Sequence, residues 1–456
     1  MHTVFSQMTS QVRSQPARKL VGRVKAITGM SLKFTGLESE ISLGDRCLVK
    51  GKRGEVLAEV TGVSADGTIL LPFGSWDGVS VGDMVRVHTA GDVVYPDNSW
   101  IGRTVNALGK PLDDQGPLHE GGRARYFKDE PLNSFSRKRV GHKLETQIKT
   151  MDVFTPICRG QRMGIFAGSG VGKSSMMSML ARNTDADVIV IGLVGERGRE
   201  VQDFIQEDLG EEGMKRSVLV VATGDEPPLM RRQAAWTAMT VAEHFRDQGL
   251  QVMLLMDSVT RFAMAQREIG LSGGEPPTSK GYPPTVFAEL PRLLERAGPG
   301  TKNMGDITGI FTVLVDGDDH NEPISDTVRG ITDGHIVLDR TIAENGRYPA
   351  IDILKSVSRM LPDCHTDAEY VIMKEAKQLF AKYDAMAELI RIGAYKTGTD
   401  AETDSAIAFA KQAEKFLSQR KQEHMPSIES FGHLYKMLVD SGVQIALPAE
   451  EAAGEQ

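Results

Sequence analysis

One short run constrains this chain more than any other: Arg-Met-Gly-Ile-Phe-Ala-Gly-Ser-Gly-Val-Gly-Lys-Ser-Ser, residues Arg162–Ser175. An apolar stretch, Met163–Ala167, enters a glycine-rich turn and then a helix-compatible segment, Ser175–Asn183. A buried strand, a tight turn and a helix in that order form a phosphate-binding loop. Gly168, Gly170 and Gly172 let the backbone curl until successive N–H groups of Gly168, Ser169, Gly170, Val171 and Gly172 face one anion. The helix opening at Lys173-Ser174-Ser175 adds the positive end of its dipole. Lys173 then reaches β- and γ-phosphates, and the Ser174 hydroxyl suits Mg²⁺. Ala167 stands where the common pattern has its first glycine. It is the smallest residue with a Cβ and Gly168 follows it, so the turn tolerates it.

Such a loop belongs in an α/β domain, and the pattern around it agrees. Val188–Val194, Ser217–Ala222, Gln251–Met256, Gly309–Val315 and His335–Leu338 are continuous apolar runs, as expected of strands buried on both faces. Helical stretches such as Met230–Gln248 and Val286–Glu295 separate them. The expectation is a mostly parallel sheet over 93–360. Residues 20–92 differ: turn signals at Thr28-Gly29, Gly44-Asp45, Asp66-Gly67 and Gly82-Asp83 break Val-rich runs, which reads as a small β-barrel or sandwich. Residues 361–447 place Ala368, Val371, Ile372, Ala376, Leu379 and Phe380 at helical spacing, the pattern of a C-terminal helical domain. Residues 1–19 form an extension, with Val4, Phe5 and Met8 at roughly helical spacing, and 448–456 a small acidic tail read as disordered. The stretch Arg123–Arg139 is basic and aromatic-flecked. It reads as a solvated linker or, alternatively, a nucleic-acid patch.

Composition narrows the functional classes. With 456 residues, net charge −8 and 25% charged residues, the chain is an ordinary globular protein. The acidic balance disfavours a nucleic-acid binder. Cys47, Cys158 and Cys364 are too scattered for a metal site or disulfide framework, which fits a reducing cytoplasm and buried thiols. No apolar run reaches the ~18 residues a membrane span requires.

Two carboxylates complete the expected site. Asp257 ends the run Val252–Met256; at the carboxyl end of a buried strand it suits Mg²⁺, or else caps the next helix. Glu196, after Val188–Val194, suits the orientation of an attacking water, or else belongs to a solvated loop. Tyr348-Pro349 offers a fixed aromatic platform for a base, or simple turn packing. Arg359 cannot be placed from spacing alone.

Taken together, Gly168–Ser175, Gly195–Glu200, Leu254–Phe262, Gln266–Ile269, Gly281–Pro284 and Arg347–Asp352 resemble the rotary ATP synthase α/β superfamily. The resemblance is closest to the type III secretion ATPases, and Val286–Arg296 is similar to the flagellum-specific export branch. It implies an α/β core with a phosphate loop, an N-terminal barrel, C-terminal helices and a homohexameric ring with ATP and Mg²⁺ between subunits. Lys173 matches the phosphate-binding lysine, Ser174 and Asp257 the Mg²⁺ residues, and Glu196 the water-positioning glutamate. Arg197 matches its neighbouring arginine, Tyr348 the base-stacking aromatic, and Arg359 an arginine finger given to the next subunit. The loop Gly270–Pro284 matches one that faces a central pore. Implied partners are a stator-like regulatory protein, a coiled-coil stalk, an export gate and chaperone–cargo complexes, with peripheral association at the inner membrane. The branch that serves virulence secretion, a non-catalytic ring subunit and an RNA translocase are the alternatives.

Overall fold

A computed structural model describes residues 20–88, 92–315 and 322–448. The expected N-terminal helix and all but the first residue of the acidic tail lie outside the described residues. The chain divides into two compact units, each described by itself. The first gathers residues up to Val93 with Glu226–Met230 and Ala265–Thr285; the second holds Val94–Asp225, Arg231–Met264 and everything from Val286.

The first unit is built on a closed six-stranded barrel. Its strands are β1 (Gly22–Thr28), β2 (Ser31–Thr35), β3 (Arg46–Gly51), β4 (Gly54–Ser64), β5 (Gly67–Pro72) and β6 (Met84–Val87), arranged β1-β2-β5-β4-β3-β6. Period-two alternation explains β2, where Leu32 and Phe34 are fully buried between half-exposed neighbours. It breaks in β4, where Ala58, Glu59 and Val60 are all buried. There the register against β5 shifts between Val60 and Gly62, and such a bulge supplies the curvature that closing a small barrel requires. The segment Ala265–Thr285 lies on this unit. A Cβ at Gly273 would stand 2.9 Å from the Thr61 carbonyl, and one at Gly62 3.3 Å from the Gly273 carbonyl. Two backbones meet where neither residue carries a side chain. The segment is braced within itself as well: Thr278 donates to the Tyr282 carbonyl, and Arg267 sits 5.3 Å over the Tyr282 ring.

The second unit carries a large sheet. Its strands are β7 (Thr104–Asn106), β8 (Arg162–Ala167), β9 (Val188–Glu196), β10 (Ser217–Thr223), β11 (Val252–Asp257), β12 (Asp306–Leu314), β13 (Gly334–Leu338) and β14 (Val357–Ser358). The order is β14-β13-β8-β12-β11-β9-β10-β7. Along this order neighbours run parallel except β14, which is antiparallel to β13, and a short ninth strand, Gly298–Pro299, pairs antiparallel with β12. The strands are almost wholly buried, so helices cover both faces, as a parallel sheet demands. Helices α1 (Lys149–Phe154), α2 (Lys173–Asn183), α3 (Pro228–Arg246), α4 (Val259–Ser272) and α5 (Pro284–Leu294) are distributed among the strands.

The stretch read as a solvated linker is no linker. Arg125 pairs with Asp247 at 2.8 Å, and Arg137 donates to the Glu295 and Ala297 carbonyls. Phe127 is buried, and its carbonyl accepts from the fully buried Arg296. Arg125, Arg137 and Lys138 are thus engaged by the α/β domain, which leaves the nucleic-acid alternative less charge to work with. Sequence composition registers the charges but not their partners, which lie more than a hundred residues away.

Three helices end the chain: α6 (Asp367–Arg391), α7 (Ala401–Leu417) and α8 (Ser427–Asp440). Thr366 and Glu369 form a reciprocal capping box at the start of α6. Ile372, Met373, Ala376 and Phe380 face inward with Phe409, Leu417, Phe431 and Leu434, and the cluster continues onto Val153 and Phe154 of α1. No described helix is long and apolar enough to cross a membrane. Cys47 and Cys158 are buried and Cys364 is half-buried.

Candidate nucleotide site

The loop after β8 is held in a shape only glycine adopts readily. Gly170 and Gly172 take φ of +79° and +94°, and open space surrounds Gly170. Gly172 caps α2, and Lys173 is its first residue. The first N–H groups of α2 have no helical acceptor and point outward. Ser169, Gly170 and Ser174 are exposed, while Gly168 and Val171 are buried beneath them. The loop is therefore an anion cradle open to solvent on one side.

The central strands β8, β12, β11 and β9 are contiguous and end together at this cradle. Asp257 closes β11 opposite Leu193 of β9. Its Oδ1 accepts from Thr312 Oγ1 at 2.7 Å and from the Lys173 ammonium. The helix-cap alternative for Asp257 is taken by its neighbour instead, since Ser258 Oγ accepts the Arg261 N–H at 3.3 Å. Thr312 is fully buried and fixes the carboxylate; its hydroxyl sits inside an apolar run that revealed only a strand.

Glu196 lies inside the sheet rather than on a following loop. It is the last residue of β9, and the register against β10 shifts between Val194 and Glu196. Gly195 takes φ +71°, and a Cβ there would meet Arg261 Cβ at 3.0 Å. The bulge turns the Glu196 carboxylate toward Lys173, with Oε1 3.5 Å from Nζ. Burial pushes the Glu196 pKa up to about 7, Lys173 opposing and Asp257 reinforcing the rise. Burial acts to lower the Lys173 pKa, but Asp257 and Glu196 outweigh it and hold the group above its ordinary value. Lys173 is thus a permanent cation held between two carboxylates.

The pocket over this cluster measures about 490 Å³, and Arg197, Glu200 and Arg261 also line it. Arg197 itself points to solvent and pairs with Glu200 at 3.1 Å. Arg261, on the first turn of α4, lies within the Leu254–Phe262 motif but has no role assigned from sequence; its spacing shows only a cation four residues after a strand-ending aspartate. Among the described residues no three His, Cys, Asp or Glu form a self-contained metal site. The Ser174 hydroxyl and Asp257 carboxylate are hard oxygen donors that fit Mg²⁺, which keeps much of its coordination on phosphates and water.

A second pocket of about 490 Å³ adjoins the first and shares Gly172 and Ser175 with it. Tyr348 is 43% exposed and forms its shelf. The ring stands 3.2 Å from where a Gly172 Cβ would be, so glycine lets the shelf approach the phosphate loop. Met176 and Met179 add apolar surface. A polar cradle beside an apolar slot with an open aromatic face is the shape of a nucleotide.

Arg359 is not brought into this pocket. It follows β14, whose Ser358 pairs with Gly334 at the opening of β13. Its N–H donates to the Asp333 carbonyl, and the Asp333 N–H to Arg162, the first residue of β8. The phosphate loop follows the last residue of β8, so the strand's length, about 17 Å, separates the two. The Arg359 side chain is exposed at the far end of the sheet.

Known proteins are similar to this chain over most of its length. The model of the ATP synthase alpha/beta family, nucleotide-binding domain, matches residues 147–358. The T3SS EscN ATPase C-terminal domain matches 366–436. A flagellum-specific ATP synthase from Caulobacter vibrioides is 52% identical over 92% of this chain and 96% of its own. One from Salmonella typhimurium is 43% identical over 91% and 93%. The assembled ATPase EscN of the enteropathogenic E. coli type III secretion system superposes with a TM-score of 0.85 at 38% identity, over 91% of this chain and 100% of its own. EscN in complex with its central stalk EscO gives 0.82. With its phosphate loop, its bulged glutamate and its full-length likeness, the chain belongs to the flagellum-specific ATP synthase family, within the ATP synthase alpha/beta superfamily.

Proposed function

We infer that this chain is an ATPase that energises protein export through a flagellar type III apparatus, with hydrolysis at the Lys173–Glu196–Asp257 cluster. The observation that carries the site assignment is the position of Glu196. It is turned by the Gly195 bulge to face the phosphate-binding lysine, with a proton affinity near neutrality. The backbone of Gly168–Ser175 and Lys173 bind the β- and γ-phosphates of ATP. Ser174 and Asp257 hold Mg²⁺, which supplies positive charge to the phosphates. Glu196 orients the water that adds to the γ-phosphorus as ADP leaves. Tyr348 stacks the adenine.

Arg359 serves a neighbouring copy. Its place at the opposite end of the sheet supports a finger offered in trans within a homohexameric ring, as does likeness to an assembled ATPase. A coiled-coil stalk is a partner by the same argument, since EscN binds its central stalk. Stator-like protein, export gate, chaperone–cargo complexes and peripheral attachment to the inner membrane remain part of the proposal. The flagellar reading is favoured over the virulence one because flagellum-specific relatives reach 52% identity against 38% for EscN. A non-catalytic ring subunit is disfavoured by Glu196 itself.

Glu196→Gln keeps the shape and removes the charge. It is expected to lower phosphate release by roughly 10²–10⁴ while a fluorescent ATP analogue binds within about threefold of wild type. Wild-type turnover in that variant would refute the assignment.

A further inference from the structure

The turn between α7 and α8 is tied to the Tyr348 shelf through the backbone of one residue, whose buried side chain fixes that backbone in place. Gln419 is 4% exposed. Its Oε1 accepts the Lys149 N–H at 3.0 Å, and its Nε2 donates to the Gln147 and Glu423 carbonyls, each at 2.8 Å. Its backbone N–H donates to the Tyr348 carbonyl at 2.8 Å. A glutamine amide placed among three backbone groups that it matches in polarity is a positional constraint, because any shift leaves buried polar atoms unpaired.

The surroundings strengthen it. The Lys149 ammonium donates to the Phe416 carbonyl at 2.9 Å and the Ser418 carbonyl at 3.3 Å, closing the end of α7. Arg182 of α2 donates to the Lys421 carbonyl, and Lys421 pairs with Asp208. The turn that lines the slot together with the tyrosine is therefore fastened to the base shelf, to the start of α1 and to the phosphate-loop helix at once.

We propose that Gln419 is a positioning residue for the base subsite: it sets the spacing between the Tyr348 shelf and the Ser418–Gln422 wall, and so governs affinity for the base of the nucleotide without governing the chemistry at the phosphates. The proposal rests on reading the Tyr348 slot as the base subsite. It predicts that the C-terminal helices, through this turn, contribute to nucleotide affinity.

The test compares ATP with inorganic tripolyphosphate, which has the phosphates and no base. Gln419→Met retains the side-chain length and removes all three side-chain hydrogen bonds. The KM for ATP is expected to rise about tenfold, with kcat and the inhibition constant of tripolyphosphate within about twofold. Normal tripolyphosphate inhibition certifies an intact phosphate loop. Lys149→Met, which only loosens the end of α7, is expected to shift the KM the same way by a smaller factor, and it carries the test if Gln419→Met does not fold. Tyr348→Ala is the control on the underlying reading. If Tyr348→Ala raises the ATP KM and neither other variant does, the Gln419 proposal is overturned and the base subsite stands. If Tyr348→Ala leaves the preference for ATP over tripolyphosphate unchanged, both fall. A loss of kcat in Gln419→Met at unchanged KM also overturns the proposal.

Discussion

Asp152 shows how much chemistry a single residue can carry outside the nucleotide pocket. It is fully buried on α1, its Oδ1 accepts the Thr146 N–H and hydroxyl, and its Oδ2 has no partner. Burial pushes its pKa up to about 7, against the Thr146 donors. The unfolded carboxyl titrates near 4. Between those values the native state therefore binds more protons than the unfolded one, and stability falls as pH rises through that window. Melting temperature is expected to drop from pH 5 to pH 8 in the wild type and to drop less in Asp152→Asn, the difference corresponding to at most about 3 kcal/mol. Parallel pH profiles in the two proteins would rule the explanation out. An aspartate of this kind is invisible in sequence, where it reads as one more solvated charge. Lys173, Ser174 and Asp257 were legible because a phosphate loop and a strand-ending carboxylate are local patterns. Thr312 and Gln419 were not, because each acts on a partner far away in the chain.

At the scale of elements, one single glycine and one glycine pair decide local backbone geometry. Gly195 permits the bulge that aims Glu196, which the reading of Val188–Val194 as a strand could not foresee; hydrophobic runs give a strand's core and not its irregular end. Gly62 and Gly273 let the Ala265–Thr285 segment lie on β4. Resemblance alone gives Gly270–Pro284, within this segment, a pore-facing role; its seat on the barrel follows from a close approach that only the fold reveals. Gly273→Val is expected to destabilise the barrel unit by about 1–3 kcal/mol, because its side chain would displace the Thr61 carbonyl. Calorimetry would register this as a lowered transition. An unchanged transition would mean that the segment is free of the barrel. The strands and helices themselves were legible, since alternation, continuous apolar runs and helical spacing each mark a different burial.

For the whole molecule, the division between legible and hidden falls at the edge of the chain. Barrel, sheet and helices follow from patterning, and the acidic net charge of −8 argues against nucleic acid as the leading partner. Under the proposed function one chain does not contain its own completed site, since Arg359 stands at the far end of the sheet from Lys173. A guanidinium supplied in trans is worth roughly 10³–10⁵ in rate, so assembly and turnover are expected to be inseparable.

That claim is tested most directly by mixing two inactive variants. Arg359→Ala keeps an intact Glu196 and lacks the finger; Glu196→Gln keeps the finger and lacks the carboxylate. Each alone is expected to release almost no phosphate from ATP. Co-assembled in equal amounts, they form some interfaces that pair an intact Glu196 with an intact Arg359, and activity is expected to return to at most roughly a quarter of wild type. A mixture as silent as its components, or an Arg359→Ala protein that hydrolyses ATP at the wild-type rate, would contradict a site shared between neighbouring copies.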